Sequence, residues 1–374
     1  MDCLNCWSEN LLLTLTNIYK LSDVSGRRST FFGVVLPLIF LIFFFNKVVT
    51  AQDIHLSQFN NTPLLRNPAL AGIFTGNFRV QTAYRSQWRS IAFPYKTNVL
   101  GLEYKIALPN GNDFLTVGSS AFYDQAGIQA LKTLQVLPVI NFHKNLGGDK
   151  IKFLSIGFMG GYVSRQFSGA NLTFDNQYTN GRFSSSNATG ESFTGLSRSV
   201  FDMAVGMSYN SQLGENTFYY AGASLWHFNS PSANYLSAVV KLPMKVQANL
   251  GIRARAGDYL EWTIEGNHLQ QGQYRETIVG GMIKYDLIGS SASEETEMSS
   301  ASVGLGGFIR LNDAFIPYAY LRYNQMDIGI SYDINTSSLK TIAQGVGSIE
   351  LSISYRGFTQ SQNKSLQYIK CPKF

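Results

Sequence analysis

Alternation with a period of two, sustained over unusually long stretches, constrains this chain more than any other feature. From Lys245, one face reads Lys245, Gln247, Asn249, Gly251 and Arg253, and the other reads Val246, Ala248, Leu250, Ile252 and Ala254. Ile349, Leu351, Ile353 and Tyr355 alternate in the same way with Ser348, Glu350, Ser352, Ser354 and Arg356. Successive side chains of a strand point to opposite faces, so each stretch has one apolar and one polar side. Fourteen stretches read this way: 78–88, 96–107, 113–123, 130–142, 151–163, 198–209, 217–227, 243–254, 259–266, 274–285, 302–310, 315–323, 326–333 and 346–356. Many run to about 9–13 residues, whereas ordinary strands centre near 5–6 and a strand tilted through a bilayer needs about 9–11. Turn-like connections such as Pro109-Asn110-Gly111-Asn112 and Asn324-Gln325 separate them. A secreted β-sandwich also alternates. Strand length, the even count, the lack of a helical stretch and aromatic residues near strand ends (Tyr84, Trp88, Tyr104, Tyr162, Trp226, Tyr285) favour a membrane barrel instead. The expected fold is all-β, a transmembrane antiparallel β-barrel of about fourteen strands over residues 78–356.

Composition agrees. Of 374 residues only 14% are charged, against about 25% in a soluble domain, while 13% are aromatic and 34 are Gly. A mean hydropathy of -0.03 is too low for a bundle of membrane helices. The net charge of +6 is spread along the chain without a dense Lys/Arg block, which makes nucleic acid a poor partner.

The first apolar run points to export. Arg27 and Arg28 precede the unbroken apolar stretch 31–45, and Asn46, Lys47 and then Val48-Val49-Thr50-Ala51 follow. A positive segment, an apolar segment and a small residue make a signal peptide, with cleavage expected between Ala51 and Gln52. Fifteen apolar residues are short for a membrane helix, which needs about 20. The extension in front is long for such a leader, and the expected translation start lies nearer Val24. Removing residues 1–51 takes Cys3 and Cys6 and leaves Cys371 alone, so a disulfide framework is excluded despite export.

Chemistry is scarce in the inventory. None of His55, His143, His227 and His268 stands in a metal-spaced pair, and no GxSxG elbow occurs. Gly304-Leu305-Gly306-Gly307 lacks the helix of a phosphate loop, and reads as close strand packing. Glu261 and Glu265 share a strand face, and are expected to pair structurally with Arg253 or Lys284. No catalytic, cofactor or metal site is expected, and the protein reads as a non-enzyme.

Several phrases, in order, resemble one family. The stretch 52–72 matches in His55, Ser57, Gln58, Phe59, Asn67, Pro68, Ala69, Ala71 and Gly72. Tyr84-Arg85-Ser86-Gln87-Trp88, the segment 227–235 (HFNSPSANY), and Arg310 with Asp313, Ala314 and Pro317 follow. Then come Ser331-Tyr332-Asp333-Ile334-Asn335, the stretch 347–355, and a terminus running from Cys371 to Phe374. Together these resemble the PorP/SprF family of type IX secretion. The resemblance implies an integral outer-membrane barrel that serves secretion or gliding motility. Its implied partners are outer-membrane lipid, type IX secretion components, a periplasmic peptidoglycan-binding lipoprotein and a large secreted adhesin. A channel for small or hydrophobic solutes is the alternative.

Outside the strands, the mature chain leaves residues 52–77 and 357–374. Asn67-Pro68 holds Asn67 extended, and 52–77 is expected as a small plug at the periplasmic mouth. The tail 357–374, with Lys364, Lys370 and Lys373, is expected on the periplasmic side, as a solvated terminus or, on a sharper reading, a docking peptide. Long connections face outward in such barrels, which places 164–197, 228–242 and 334–345 outside. The connection 287–301 is equally long but falls on the periplasmic side, so either that turn is unusual or the strand count slips nearby.

Overall fold

The computed structural model describes residues 53–88, 93–109, 113–127, 131–148, 151–167, 172–190, 197–235, 238–287, 301–337 and 345–358. The leader, Ala51 and Gln52, most of the 287–301 connection, and the tail with Cys371 and Phe374 lie outside the described residues.

All fourteen long strands form where the alternation places them. They are β1 (Phe78–Gln87), β2 (Tyr95–Ala107), β3 (Phe114–Ala126), β4 (Leu131–Asn145), β5 (Lys152–Gln166), β8 (Ser197–Leu213), β9 (Thr217–Trp226), β12 (Lys245–Ala256), β13 (Leu260–Gln271), β14 (Tyr274–Asp286), β15 (Ala301–Arg310), β16 (Ala314–Tyr323), β17 (Met326–Asn335) and β18 (Val346–Gly357). Two short hairpins interrupt long connections: β6 (Tyr178–Thr179) with β7 (Arg182–Phe183), and β10 (Ser232–Tyr235) with β11 (Ala238–Lys241). The long strands pair antiparallel in sequence order, and β1 closes onto β18 with Phe78 opposite Gly357 and Gln87 opposite Ser348. Closure leaves no unpaired edge, the condition that lipid imposes on a sheet.

The two faces sort by polarity. Leu250, Phe158, Ile283 and Leu305 point outward and are exposed, whereas Arg253 and Asn249 point inward and are buried. Tyr104, Tyr162 and Tyr285 also stand on the outer face. Trp226 does not. Counted in the sequence as an outer aromatic, it points into the lumen and is buried, because its indole N–H reaches the carbonyl of Arg66 at 3.3 Å. The glycines of β14 and β15 pack closely, as the sequence suggests: a Cβ on Gly280 would lie 2.2 Å from the Gly307 carbonyl oxygen.

One mouth of the barrel, the near mouth, holds the start of β1 and the end of β18. The far mouth carries the connections 167–196, 227–244 and 336–345. The strand count is even, so the 287–300 connection joins near-mouth ends without any slip in the count.

The N-terminal segment occupies the lumen. It has no periodic run and folds as three single-turn 3-10 helices: Phe59–Asn61, Pro63–Leu65 and Pro68–Leu70. Pro63 and Pro68 open two of them, where a missing N–H costs nothing. Its course is longer than a plug confined to one mouth. Asp53 bonds to His227 and Lys245 at the far mouth, while Asn77 bonds to Gly357 at the near mouth. The segment therefore threads the barrel from end to end.

Candidate functional site: a plugged lumen

A chain that crosses a lumen without regular structure cannot satisfy its own backbone, and buried N–H and C=O groups must find partners. Here the inward side chains of the wall supply them. Glu350 accepts from the backbone N–H of Ser57 at 2.6 Å and of Gln58 at 2.8 Å. Asn141 donates to the carbonyls of Ala69 and Ala71 at 3.0 and 2.8 Å, and Ser208 donates to Ala69 at 2.9 Å. Ser224 donates to the Arg66 carbonyl at 2.7 Å. Glu103 accepts from Gly72 N–H at 2.7 Å, and Lys105 donates to the Phe74 carbonyl. The polar face of these strands is thus a lining that fits one particular chain.

The tightest fit surrounds Asn67. Extended at φ -157, it caps the third turn by accepting from Ala69 N–H at 2.8 Å. Its amide donates to the carbonyls of Met207 and Ala223 on two adjacent strands, at 3.1 and 3.2 Å. Both strands, and β5 beside them, carry a glycine here. A Cβ on Gly206 would lie 1.9 Å from Asn67 Oδ1, and one on Gly157 2.5 Å from the Pro68 carbonyl carbon. Three wall glycines, Gly157, Gly206 and Gly222, form a notch that admits the Asn67-Pro68 turn.

A buried ionic cluster fixes the upper plug. Arg85 reaches Glu350 at 2.7 Å and Asp333 at 3.2 Å, and Arg310 reaches Asp333 at 3.1 Å. Ser57 Oγ donates to Asp333 at 2.8 Å and also meets Arg310 and Arg85. Buried charges persist only when paired and hydrogen-bonded in this way. Lower down, Arg66 of the plug lies 3.6 Å from Glu265 and bonds to Tyr220, whose hydroxyl donates to Glu265 at 2.6 Å. The paired carboxylates noted in the sequence divide here: Glu265 holds the plug, whereas Glu261 pairs with Lys284 at 3.0 Å and Arg253 at 3.7 Å.

At the far mouth a vestibule of about 610 Å³ opens above Asp53 and His55. Asp53 accepts from Lys245 at 2.7 Å, and His227 sits between Asp53 at 2.7 Å and Asp202 at 2.8 Å. Burial opposes charge on His227, but the two carboxylates outweigh it and push its pKa up to about 9. Burial likewise opposes charge on Asp53, and Lys245 and His227 hold its carboxyl well below the usual range. His55 differs. Burial, with Arg85 and Arg310 near, holds it well below the ordinary imidazole value, and it stands 3.7 Å from Glu276. It is therefore neutral at pH 7.

The structure brings most of the singled-out residues into one interface. Gln58 bonds to Ser331 and to the Glu350 carbonyl at 3.1 and 3.0 Å. Phe59 packs edge-on to Phe308 at 5.2 Å. Asn67 and Pro68 fill the glycine notch. Arg310 pairs with Asp313 at 2.8 Å across the β15–β16 turn while reaching the ionic cluster. Pro317 lies in β16 opposite Gly307 of β15, where its missing N–H withdraws one ladder donor. Ala51, Gln52, Cys371 and Phe374 lie outside the described residues. Glu350, Asp333, Arg85 and Asp53 were not singled out as site residues. Their signal is a charge on the inward face of a strand, or a carboxylate ahead of it, and all four stand inside the stretches that carry the family resemblance. Among the described residues no group of three or more His, Cys, Asp or Glu side chains could hold a metal ion.

A family model, described as the type IX secretion system membrane protein PorP/SprF, matches residues 48–355. No curated protein matches the chain. Among solved structures, the outer membrane protein Omp33 of Acinetobacter baumannii is 8% identical, with 76% of this chain and 99% of that one covered, at a TM-score of 0.36. A mutant of the TodX monoaromatic hydrocarbon channel is 11% identical over 79% of this chain and 93% of that one, at 0.44. The CymD monoaromatic hydrocarbon channel is 11% identical over 84% and 96%, at 0.43.

Proposed function

The chain belongs to the PorP/SprF family of type IX secretion system membrane proteins, and we propose that it serves that system as a closed, non-enzymatic outer-membrane anchor. In this role it supports export or surface attachment of a large adhesin, or links the machinery to a periplasmic peptidoglycan-binding lipoprotein. The observation that carries the reading is the plug. A lumen whose polar wall is matched, group by group, to the chain's own residues 53–77 is built to stay filled. That favours a scaffold over a passive pore.

Sides follow from connection length. Outer loops of such barrels are long and periplasmic turns short, so the far mouth faces the exterior and the near mouth the periplasm. Cleavage between Ala51 and Gln52 would then leave the new N-terminus beside the exterior vestibule. With the plug buried in the lumen, the tail 358–374 and the 287–300 connection remain as periplasmic docking segments.

Deleting 358–374 tests this. The truncated protein is expected to stay in the outer membrane as a heat-modifiable barrel, because the deletion removes no strand pair. It should lose co-purification of a periplasmic partner and surface display of the adhesin. A truncated barrel that retains both at normal yield overturns the docking role of the tail.

A further inference from the structure

One carboxylate in the far-mouth vestibule stands apart from the rest. Six line that space: Asp53, Asp124, Asp202, Glu276, Asp313 and Asp333. Five of them stand within 3.7 Å of a cationic side chain: Asp53 of Lys245, Asp202 of His227, and Glu276, Asp313 and Asp333 of Arg310. Asp124, half-buried near the end of β3, differs. It accepts from the Thr97 hydroxyl at 2.5 Å, and no cation lies within ion-pair reach of it among the described residues. Its direct neighbours along the inward row are uncharged, Thr97 on β2 and Thr133 on β4. Arg85, opposite Thr97 on β1, is committed to Glu350 and Asp333. A carboxylate withdrawn from water without a cation is costly, and a charged partner offsets that cost.

Aromatic residues gather at the same corner. Phe122 precedes Asp124 by two residues on the same face of β3, and Tyr95 precedes Thr97 in the same way on β2. Both line the vestibule, together with Trp88. Trp88 meets Tyr95 edge-on, with ring centroids 4.8 Å apart. Its placement is unusual. The alternation of β1 sets Val80 and Thr82 outward, and Trp88 falls on that side by count. Instead it takes a left-handed φ of 60, donates its backbone N–H to the Gly347 carbonyl at 3.0 Å, and lines the vestibule. A non-glycine residue keeps that conformation only where its surroundings fix it, and such positions gather at ligand clamps and other functional sites.

We propose that this corner of the vestibule binds an organic ammonium group, as carried by a small free amine or by a lysine side chain of a peptide. Asp124 supplies the counter-charge. Trp88, Tyr95 and Phe122 supply cation–π attraction, which is strongest for Trp and grows as the cation loses water. An alkylammonium combines the single positive charge that Asp124 lacks with an apolar periphery that suits aromatic rings. An anion would meet neither. The site requires only the folded barrel, and is independent of the secretion partner and of which side the far mouth faces.

The test is calorimetric titration of the purified full-length protein in an uncharged detergent. The probes are choline, N-acetyl-lysine methylamide and the uncharged N-acetyl-norleucine methylamide. Choline or the lysine amide should bind saturably and about tenfold or more tighter than the norleucine amide, and the arm that binds identifies the source. Asp124→Asn should weaken binding about tenfold or more, and Trp88→Leu several-fold. Arg165→Gln removes a like charge two strands along the same row, and should tighten it. Lys144→Gln, exposed at the near mouth, should leave it unchanged. Heat-modifiable migration certifies each fold, and Trp88→Leu keeps the test decisive if Asp124→Asn fails to assemble. Absence of binding by both amines, equal binding of the norleucine amide, or wild-type affinity in the folded Asp124 or Trp88 variant overturns the proposal. Weaker binding in Arg165→Gln overturns it as well, since that would assign the site to an anionic group.

Discussion

His227 shows how one residue ties the plug to the wall. It follows the last residue of β9 at a left-handed φ of 57, a conformation that a non-glycine residue holds only when its surroundings fix it. Asp202 of β8 and Asp53 of the plug fix it from either side. Its folded pKa, about 9, exceeds the unfolded value near 6.5. The stabilisation is therefore complete below about pH 6.5 and lost as pH rises through about 9, and it is worth on the order of 3 kcal/mol. Asp53 has the opposite sign: its carboxyl is depressed, so its contribution is present above the usual carboxylate range and lost on acidification below it. Thermal stability in detergent should be highest at mildly acidic pH and should fall between about pH 6.5 and 9. His227→Gln should lower the melting temperature and flatten that alkaline slope. An unchanged slope in the variant would show that the Asp53–His227–Asp202 contact does not govern it.

At the scale of the element, β12 tests the division of faces. Leu250 and Ile252 point to the lipid side, and Asn249 and Arg253 to the lumen. An Arg on the lipid face costs about 2–4 kcal/mol at mid-depth. Ile252→Arg should therefore cut the yield of heat-modifiable barrel in the membrane more than Arg253→Ile, which leaves Glu261 still paired with Lys284. Equal yields would mean that the faces are misassigned. This much was legible in the sequence, because period-two alternation reports which face each side chain takes. Strand ends were less so. The stretch expected to close at residue 266 continues to Gln271, since Leu269 and Gln271 keep the inward alternation while the outward positions His268 and Gln270 turn polar. The path of the plug was not legible at all. Its contacts join residues nearly 300 apart, such as Gln58 and Glu350, and no local period encodes them. Trp226 was misplaced for the same reason: an aromatic at a strand end looks alike whether it meets lipid or the Arg66 carbonyl.

For the whole molecule, the order of chain and space has a consequence. Both ends of the barrel sheet stand at the near mouth, yet the chain reaches β1 only after crossing the lumen from the far mouth. Closing β1 onto β18 around a chain already in place is the simplest route to this topology. The alternative threads a segment bearing Arg66 through a finished wall, which would strip that charge of water before Tyr220 and Glu265 can receive it. The plug then acts as a template for the inward faces. Wall groups such as Asn141, Ser208 and Ser224 would lose their plug partners without it, and leaving a buried donor or acceptor unsatisfied costs about 1–3 kcal/mol each. Two outcomes follow in planar bilayers and on gels. The intact protein should pass little current, since the lumen is filled along its length. A variant lacking residues 53–71 should assemble in lower yield, and the fraction that does assemble should conduct. Large, steady conductance from the intact protein would show that the plug leaves the lumen readily, and the scaffold reading would give way to that of a gated channel.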